Sequence, residues 1–119
     1  MKYLLMLYAD EKAGKAIPPE QMAGFMHQMA VYQETLEKAN AFVATAALQA
    51  TDAARTITTA NGALQVHDGP YAETREQFGG YFIIEAADME QAVVLAAQCP
   101  AATWGKIEIR PYHQGYAPG

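Results

Sequence analysis

Two segments of this chain are apolar on consecutive rather than alternate residues, and they restrict the fold more than any other feature. They are residues 3–8 (YLLMLY) and residues 81–84 (YFII). A strand with one face in water alternates apolar and polar residues, whereas a strand covered on both faces is apolar throughout. Both segments are therefore expected to be central strands of a sheet that is covered on both of its faces.

The sequence also predicts two helices. Pro18-Pro19 opens the first one, after a polar connection over residues 9–17. The apolar residues of this helix recur at steps of three and four and form one stripe, which is expected to face the core: Met22, Phe25, Met29, Tyr32 and Leu36. Asp88 and Gln91 are typical of a capped N-terminus, and Cys99-Pro100 ends the second helix.

A β-hairpin is predicted in the middle of the chain. Asn61-Gly62 separates two β-prone runs, and this dipeptide is the strongest short-range signal for a two-residue hairpin turn. Such a turn fixes the register of the two strands. The expected pairs are Ile57 with Val66, Thr56 with His67, Thr59 with Leu64, and Arg55 with Asp68.

The order of the predicted elements defines a fold class. Further strands are expected from residues 41–44 to about residues 48–49 and at residues 106–110, so the order is β-α-β, a hairpin, and β-α-β. This is the split βαβ, ferredoxin-like plan of the α+β class with an inserted hairpin, and we expect one domain over residues 1–119. Two helices cover only one face of such a sheet. A second copy of the chain is expected to cover the other face, in a two-fold homodimer.

Composition narrows the choice of partner and compartment. The net charge is −5 with only 8 Lys and Arg residues, which argues against nucleic acid or an anionic membrane as the main partner. The one Cys excludes an internal disulfide and a cysteine-based zinc site. The apolar run at residues 3–8 is too short to span a membrane and lacks the pattern of a signal peptide. A cytoplasmic location is therefore expected.

The connection after the hairpin carries the most distinctive motif of the chain. Residues 68–81 read DGPYAETREQFGGY and combine turn formers, carboxylates, an Arg and a hydroxyl. This segment resembles the signature of the YCII-related family, in the subgroup named for Asp-Gly-Pro-Phe, with Tyr71 in place of Phe and Arg75 in place of Lys. The opening residues 1–8 and the ending residues 108–111 also fit, so the resemblance covers nearly the whole chain.

The resemblance implies a dimeric α+β barrel fold. Some members are similar in fold to muconolactone isomerases and small monooxygenases, and many are encoded beside, or fused to, extracytoplasmic-function sigma factors. Simpler members have a proposed His–Asp pair with the His on the first helix, and the corresponding position falls near Met29 here. Two functions follow. One is a cofactor-independent isomerase or lyase that acts on an unknown small molecule, and the other is a non-catalytic accessory protein of a sigma-factor pathway.

His67 and Asp68 are the best candidates for acid–base chemistry. Histidine titrates near neutral pH, and a nearby carboxylate orients and charges it. Adjacent strand residues point to opposite faces, however, so the two side chains do not simply pair. A structural role for Asp68 stays open, either capping the turn at Gly69-Pro70 or pairing with Arg55. Glu73 is the third candidate catalytic residue.

Further residues of the motif are candidates for binding the small molecule. Thr74 and Glu76 are expected to line a pocket, and Arg75 is suited to grip an anionic group, although a solvated loop would carry the same residue types. The complete set of predicted ligand contacts is Asp10, Thr74, Arg75, Glu76 and Tyr81.

No metal or cofactor is expected. A metal site could be drawn from His67, Asp10 and Glu11, but no ligand spacing supports it. The sequence contains no Gly-rich phosphate loop, nucleophile elbow or redox motif. Any chemistry would therefore use the side chains of the protein alone.

Overall fold

The structure is a computed structural model that describes residues 1–115. Its strands are β1 (Lys2–Ala9), β2 (Phe42–Ala47), β3 (Arg55–Ala60), β4 (Ala63–Asp68), β5 (Gln77–Glu85) and β6 (Lys106–Pro111). Its α-helices are α1 (Glu11–Lys15), α2 (Pro19–Lys38) and α3 (Met89–Ala97), and short 3₁₀ helices follow at Thr51–Ala53 and Pro100–Thr103. No helix in residues 1–115 is long and apolar enough to cross a membrane.

The two consecutively apolar segments lie in the two central strands. The main sheet has the order β2-β5-β1-β6, and each neighbouring pair is antiparallel. Leu5 of β1 lies opposite Phe82 of β5, and Tyr3 lies opposite Ile84. Strands β3 and β4 form a separate two-stranded sheet. The predicted α+β, ferredoxin-like fold with an inserted hairpin is confirmed.

The core lies between the sheet and its helices. Tyr3, Leu5, Phe82 and Ile84 point from the central strands into this layer and are buried there. Tyr32 of α2 packs its ring edge-on against Phe82, with 5.1 Å between the ring centroids. The remaining buried core residues are small or aliphatic: Leu36, Ala41, Ala86, Ala92, Ala96, Cys99 and Ala101.

The hydroxyl of Tyr32 is a polar group within this core that needs a hydrogen-bond partner. It donates a hydrogen bond to the backbone carbonyl of Leu95 on α3, with 2.8 Å between the oxygens. Burial raises the pKa of the Tyr32 phenol far above its ordinary value, because the charged phenolate would lose its hydration. The hydroxyl therefore stays protonated and joins α2 to α3.

The opposite face of the sheet is only half covered. Leu4 and Met6 of β1, and Tyr81 and Ile83 of β5, alternate with the core residues and are half buried. As expected from the sequence, the helices of one chain cover only one face of the sheet. We call the opposite surface the open face. Leu4, Met6, Tyr81 and Ile83 form its centre, Ala44 and Ala46 of β2 lie at one edge, and the exposed Glu108 and Arg110 of β6 lie at the other.

The hairpin has the predicted turn and register. Asn61 and Gly62 have positive φ angles of 51° and 78°, as a type I′ turn requires at both central positions. Ile57 pairs with Val66, and the other predicted pairs also hold: Thr56 with His67, Thr59 with Leu64, and Arg55 with Asp68. A two-residue turn matched to the strand twist is enough to set this register.

Helix α1 was not predicted. The sequence indicated a polar connection over residues 9–17, but one helical turn forms at Glu11–Lys15. The Asp10 side chain begins it by accepting hydrogen bonds from the backbone N–H groups of Lys12, at 2.9 Å, and Ala13, at 3.3 Å. Such a cap stabilises a helix that is too short to persist by itself.

Candidate functional site

A cavity of about 620 Å³ lies between α2, α1 and the β2–β5 side of the sheet. This volume is in the range of small-molecule sites. Met22, Phe25 and Met29 of α2 form its roof, and Thr45, Gly80 and Phe82 are part of the opposite wall. The cavity is therefore bounded by the N-terminal half of the long helix and by one edge of the main sheet.

This cavity corrects one prediction from the sequence. The whole apolar stripe of α2 was expected to be core, but only Tyr32 and Leu36 are buried, while Met22, Phe25 and Met29 are half buried and line the cavity. The wall facing them is made largely of small residues: Ala46, Ala47, Gly79 and Gly80. Small side chains leave space that the stripe cannot fill. The prediction was therefore wrong for the N-terminal half of the stripe.

The lining is predominantly apolar, with an aromatic pair at one end. The rings of Phe25 and Trp104 lie 4.7 Å apart, tilted by 35°. Trp104 directly follows the 3₁₀ helix Pro100–Thr103, which carries it to the cavity. Met22, Met26 and Met29 add flexible, polarisable thioethers, which adapt to the shape of an apolar guest. The site is thus suited to a compact molecule with substantial apolar or aromatic surface.

Most polar groups at the cavity are occupied by hydrogen bonds within the protein. The Glu11 carboxylate accepts from the backbone N–H of Thr51 at 2.8 Å and from its hydroxyl at 2.7 Å. The side-chain carbonyl of Gln77 accepts from the N–H of Glu11 at 2.9 Å, and its amide donates to the carbonyl of Thr74 at 2.5 Å. These bonds fasten α1 to β5 and to the segment after β2. We call this set, Glu11, Thr51, Thr74 and Gln77, the α1 clasp.

Two polar side chains are left to contact a guest molecule. Gln33 lines the cavity from α2, and within the described part of the chain its side chain has no hydrogen-bond partner. Asp10 also lines the cavity, with one carboxylate oxygen engaged in capping α1. Asp10 was predicted as a ligand contact, whereas Gln33 and Trp104 were not. The available signal for Gln33 was its position four residues after Met29, at the border of the apolar stripe.

The other predicted site residues lie away from the cavity. His67 and Asp68 are exposed on β4, and the Asp68 carboxylate accepts a hydrogen bond from Nε of Arg55 at 3.0 Å. This is the ion pair that the structural interpretation of Asp68 described. Glu73, Thr74 and Arg75 are exposed, and none of the three lines the cavity. A single chain therefore does not bring His67, Asp68 and Glu73 together around the apolar site.

Glu76 and Tyr81, the remaining predicted ligand contacts, lie just before β5 and within it. Glu76 is half buried and forms an ion pair with Lys106 of β6. Tyr81 lies on the open face, and its backbone carbonyl accepts a hydrogen bond from the hydroxyl of Thr45 at 2.8 Å. Glu76 thus connects the start of β5 to β6 across β1, and Tyr81 connects β5 to its neighbour β2.

The Asp-Gly-Pro part of the motif closes the base of the hairpin. Gly69 has a φ of 106°, which disfavours any residue with a side chain. Its N–H donates to the carbonyl of Ala54 at 2.8 Å, and its carbonyl accepts from the hydroxyl of Thr56 at 2.9 Å. In this chain the motif begins at the hairpin, passes through the α1 clasp at Thr74 and Gln77, and ends within β5, so it links the hairpin to the wall of the cavity.

Two further ionisable groups lie near the cavity. Burial, together with the nearby carboxylate of Glu108, raises the pKa of the Tyr8 phenol. Burial also raises the pKa of the Cys99 thiol, which packs as a small apolar group, as predicted. Among residues 1–115, no three His, Cys, Asp or Glu side chains are grouped to hold a metal ion.

Together these observations define a small ferredoxin-like α+β protein with an apolar cavity between its sheet and its long helix. The model of the YCII-related domain matches residues 1–114, and the chain belongs to that family. An uncharacterized protein of Rhizobium meliloti (strain 1021) is 32% identical over 121 residues, covering 100% of this chain and 97% of that protein. The family suggested by residues 68–81 is thereby confirmed.

Proposed function

We propose that this YCII-family protein binds a small, largely apolar molecule in the cavity beneath α2. The observation that carries the proposal is the cavity itself, a cleft of about 620 Å³ whose lining includes methionine and aromatic side chains. Binding sites of this kind are mostly apolar and contain a few polar groups that orient the ligand. Gln33 and Asp10 supply those groups here, as an amide and a carboxylate.

The geometry of one chain favours binding over catalysis. A general acid or base must come within about 2.6–3.2 Å of the proton that it transfers, directly or through one water. His67 and Glu73 are exposed and do not line the cavity, so an isomerase or lyase using them requires another chain to complete the site. We retain that activity as the second candidate, because Asp10 places one carboxylate at the cavity.

We also propose an oligomeric state, a family subgroup and a pathway for this protein. The open face supports a two-fold homodimer of the dimeric α+β barrel type, and residues 68–81 support the Asp-Gly-Pro-Phe subgroup of the family. A role as a cytoplasmic accessory protein of a sigma-factor pathway rests on that family resemblance. It is compatible with a protein that binds a small molecule without converting it.

Trp104 provides a direct assay, because it is the one tryptophan of the chain and lines the cavity. A panel of compact aromatic compounds, including 1-anilinonaphthalene-8-sulfonate, would be titrated while the fluorescence of Trp104 is recorded. We expect saturable changes with the compounds that fit. Ala47→Phe places a ring in the cavity and should weaken binding by about tenfold, or about 1.4 kcal/mol.

Val43→Phe is the matched control, because Val43 lies exposed on the same strand and does not line the cavity. It should change the affinity by less than about twofold, or about 0.4 kcal/mol. If both variants bind equally well, or no compound alters the Trp104 fluorescence, the cavity is not the binding site.

A further inference from the structure

We propose that the β3–β4 hairpin is a dimerisation arm whose apolar face is buried against a second copy of this chain. We call Arg55–Asp68 the arm. The inference rests on the homodimer proposed above and adds a surface to it. Three observations support it: the pattern of side chains on the arm, the shape of the chain, and the size of the surfaces left open.

The large apolar side chains of the arm all lie on one of its two faces. Ile57, Leu64 and Val66 share that face with Thr59 and with the Arg55–Asp68 ion pair at its base, and they are 65%, 64% and 55% exposed. The other face carries Thr56, Thr58, Gln65 and His67, together with Ala60 and Ala63 beside the turn. Alternation of this kind is typical of strands with one face packed and one face in water. An isolated two-stranded hairpin is also only marginally stable in water. The arm therefore has the residue pattern of a hairpin with one packed face, but no other part of the described chain covers that face.

The shape of the chain explains why its own core does not cover the arm. The radius of gyration is 16.3 Å, compared with about 13 Å for a compact domain of this length. The molecule measures 49 × 44 × 18 Å, so it is broad and thin. The arm follows β2, an edge strand of the main sheet, and does not pair with that sheet. It is thus free to reach past the edge onto a facing molecule.

The sizes of the uncovered surfaces favour a second copy over an unrelated protein. With six residues in each strand, the face of the arm measures roughly 20 × 10 Å, or about 200 Å². The open face spans four strands of six to nine residues, or about 400 Å² at the same spacings. A contact through the arm alone would bury about 400 Å² in total, well below the roughly 1,200 Å² of a specific interface.

A two-fold dimer uses both surfaces at once, because each chain presents the same patches to the other. The open face and the arm together contribute about 600 Å² per chain, or about 1,200 Å² per dimer, which reaches the lower limit for a specific interface. The arm is also about 20 Å long, similar to the width of a four-stranded sheet. Two sheets packed face to face, with the arm of each chain lying against its partner, would bury the apolar centre of the open face and the apolar side chains of the arm.

The test compares the two faces of the arm. Val66→Lys places a charge on the apolar face, and Gln65→Lys places the same charge on the polar face of the same strand. The dimer dissociation constant would be measured by sedimentation velocity over a dilution series. We expect Val66→Lys to raise it by at least about tenfold and Gln65→Lys by less than about twofold, equivalent to about 1.4 and 0.4 kcal/mol. Circular dichroism would verify that both variants are folded.

A third variant and a labelling experiment separate the ways in which the proposal can fail. Met6→Lys alters the open face, so it reports on the dimer independently of the arm. In the dimer, a maleimide should modify the thiol of Val66→Cys more slowly than the thiol of Gln65→Cys. Dilution to the monomer should make the two labelling rates equal. The native Cys99 is buried and should react slowly in both variants. A dimer weakened by Met6→Lys but not by Val66→Lys, with equal labelling rates, overturns the arm and leaves the homodimer standing. A wild-type chain that is monomeric throughout overturns both.

Discussion

Replacing Glu11 by Ala tests whether the α1 clasp holds the wall of the cavity in place. The variant removes the carboxylate that accepts two hydrogen bonds from Thr51, at 2.8 and 2.7 Å. Hydrogen bonds to a charged group each contribute about 1.5–3 kcal/mol when well enclosed. Glu11 and Thr51 are half buried, so solvent and water-mediated replacement reduce the loss. We expect the free energy of unfolding to fall by about 2 kcal/mol in total.

The assay is urea unfolding followed by the fluorescence of Trp104, with the midpoint and the slope fitted separately. Glu34→Ala is the control, because Glu34 is an exposed residue of α2, and it should change the stability by less than about 0.5 kcal/mol. Thr51→Val removes the hydroxyl bond but keeps the N–H bond, so it should cost about 1 kcal/mol. The double variant should lose less than the sum of the two single losses, since both changes remove the same contact.

Ligand titrations complete this test. If the clasp shapes the cavity, Glu11→Ala should also weaken the binding of a compound that saturates the Trp104 signal. If Glu11→Ala loses no more stability than Glu34→Ala and binds the compound with unchanged affinity, the hydrogen bonds of Glu11 do not organise this wall of the cavity.

Two further substitutions probe the core and the sheet. Tyr32→Phe removes the hydrogen bond to Leu95 and should cost about 1 kcal/mol at neutral pH in urea unfolding. Burial raises the pKa of Tyr32 above its ordinary value of 10.0, so the unfolded chain loses that proton first and the wild-type protein should lose stability as the pH rises above 10.0. Tyr32→Phe should reduce this alkaline loss, and equal pH slopes would contradict the argument. Gly105→Ala would place a Cβ atom 2.0 Å from the carbonyl oxygen of Tyr8, and the forced backbone shift should cost about 3 kcal/mol. An unchanged melting temperature for this variant would mean that the β1–β6 end relaxes freely.

Much of the fold could be predicted because its determinants are local. The Asn61-Gly62 turn has a backbone twist that matches the flanking strands, so the complete register of the hairpin followed from two residues. The N-terminal cap of α3 could also be predicted from the sequence. The Asp88 side chain accepts a hydrogen bond from the backbone N–H of Gln91 at 2.8 Å and begins this helix as expected. Consecutive apolar residues correctly marked β1 and β5 as the central strands.

The motif at residues 68–81 identified the family but not the position of the cavity. Its unusual composition drew attention to Glu73, Thr74 and Arg75, which lie exposed in this chain. Turn formers and carboxylates in one loop suit a ligand site and a structural connection equally well. Only the fold shows that Thr74 and Gln77 reach α1 through the clasp.

The sequence by itself therefore determined the class of fold, the central strands, the hairpin register and the family. The tertiary structure decided where an apolar stripe becomes core and where it becomes the roof of a cavity. Periodicity specifies which face of α2 is apolar, but the filling of the space beneath it depends on residues far along the chain. Gly80 and Ala47 are too small to meet Met22 and Phe25, so about 620 Å³ stays open, and Trp104 closes one end from a third segment. How well remote segments pack together depends on side chains that meet only in the folded protein, so it cannot be predicted from a local sequence pattern.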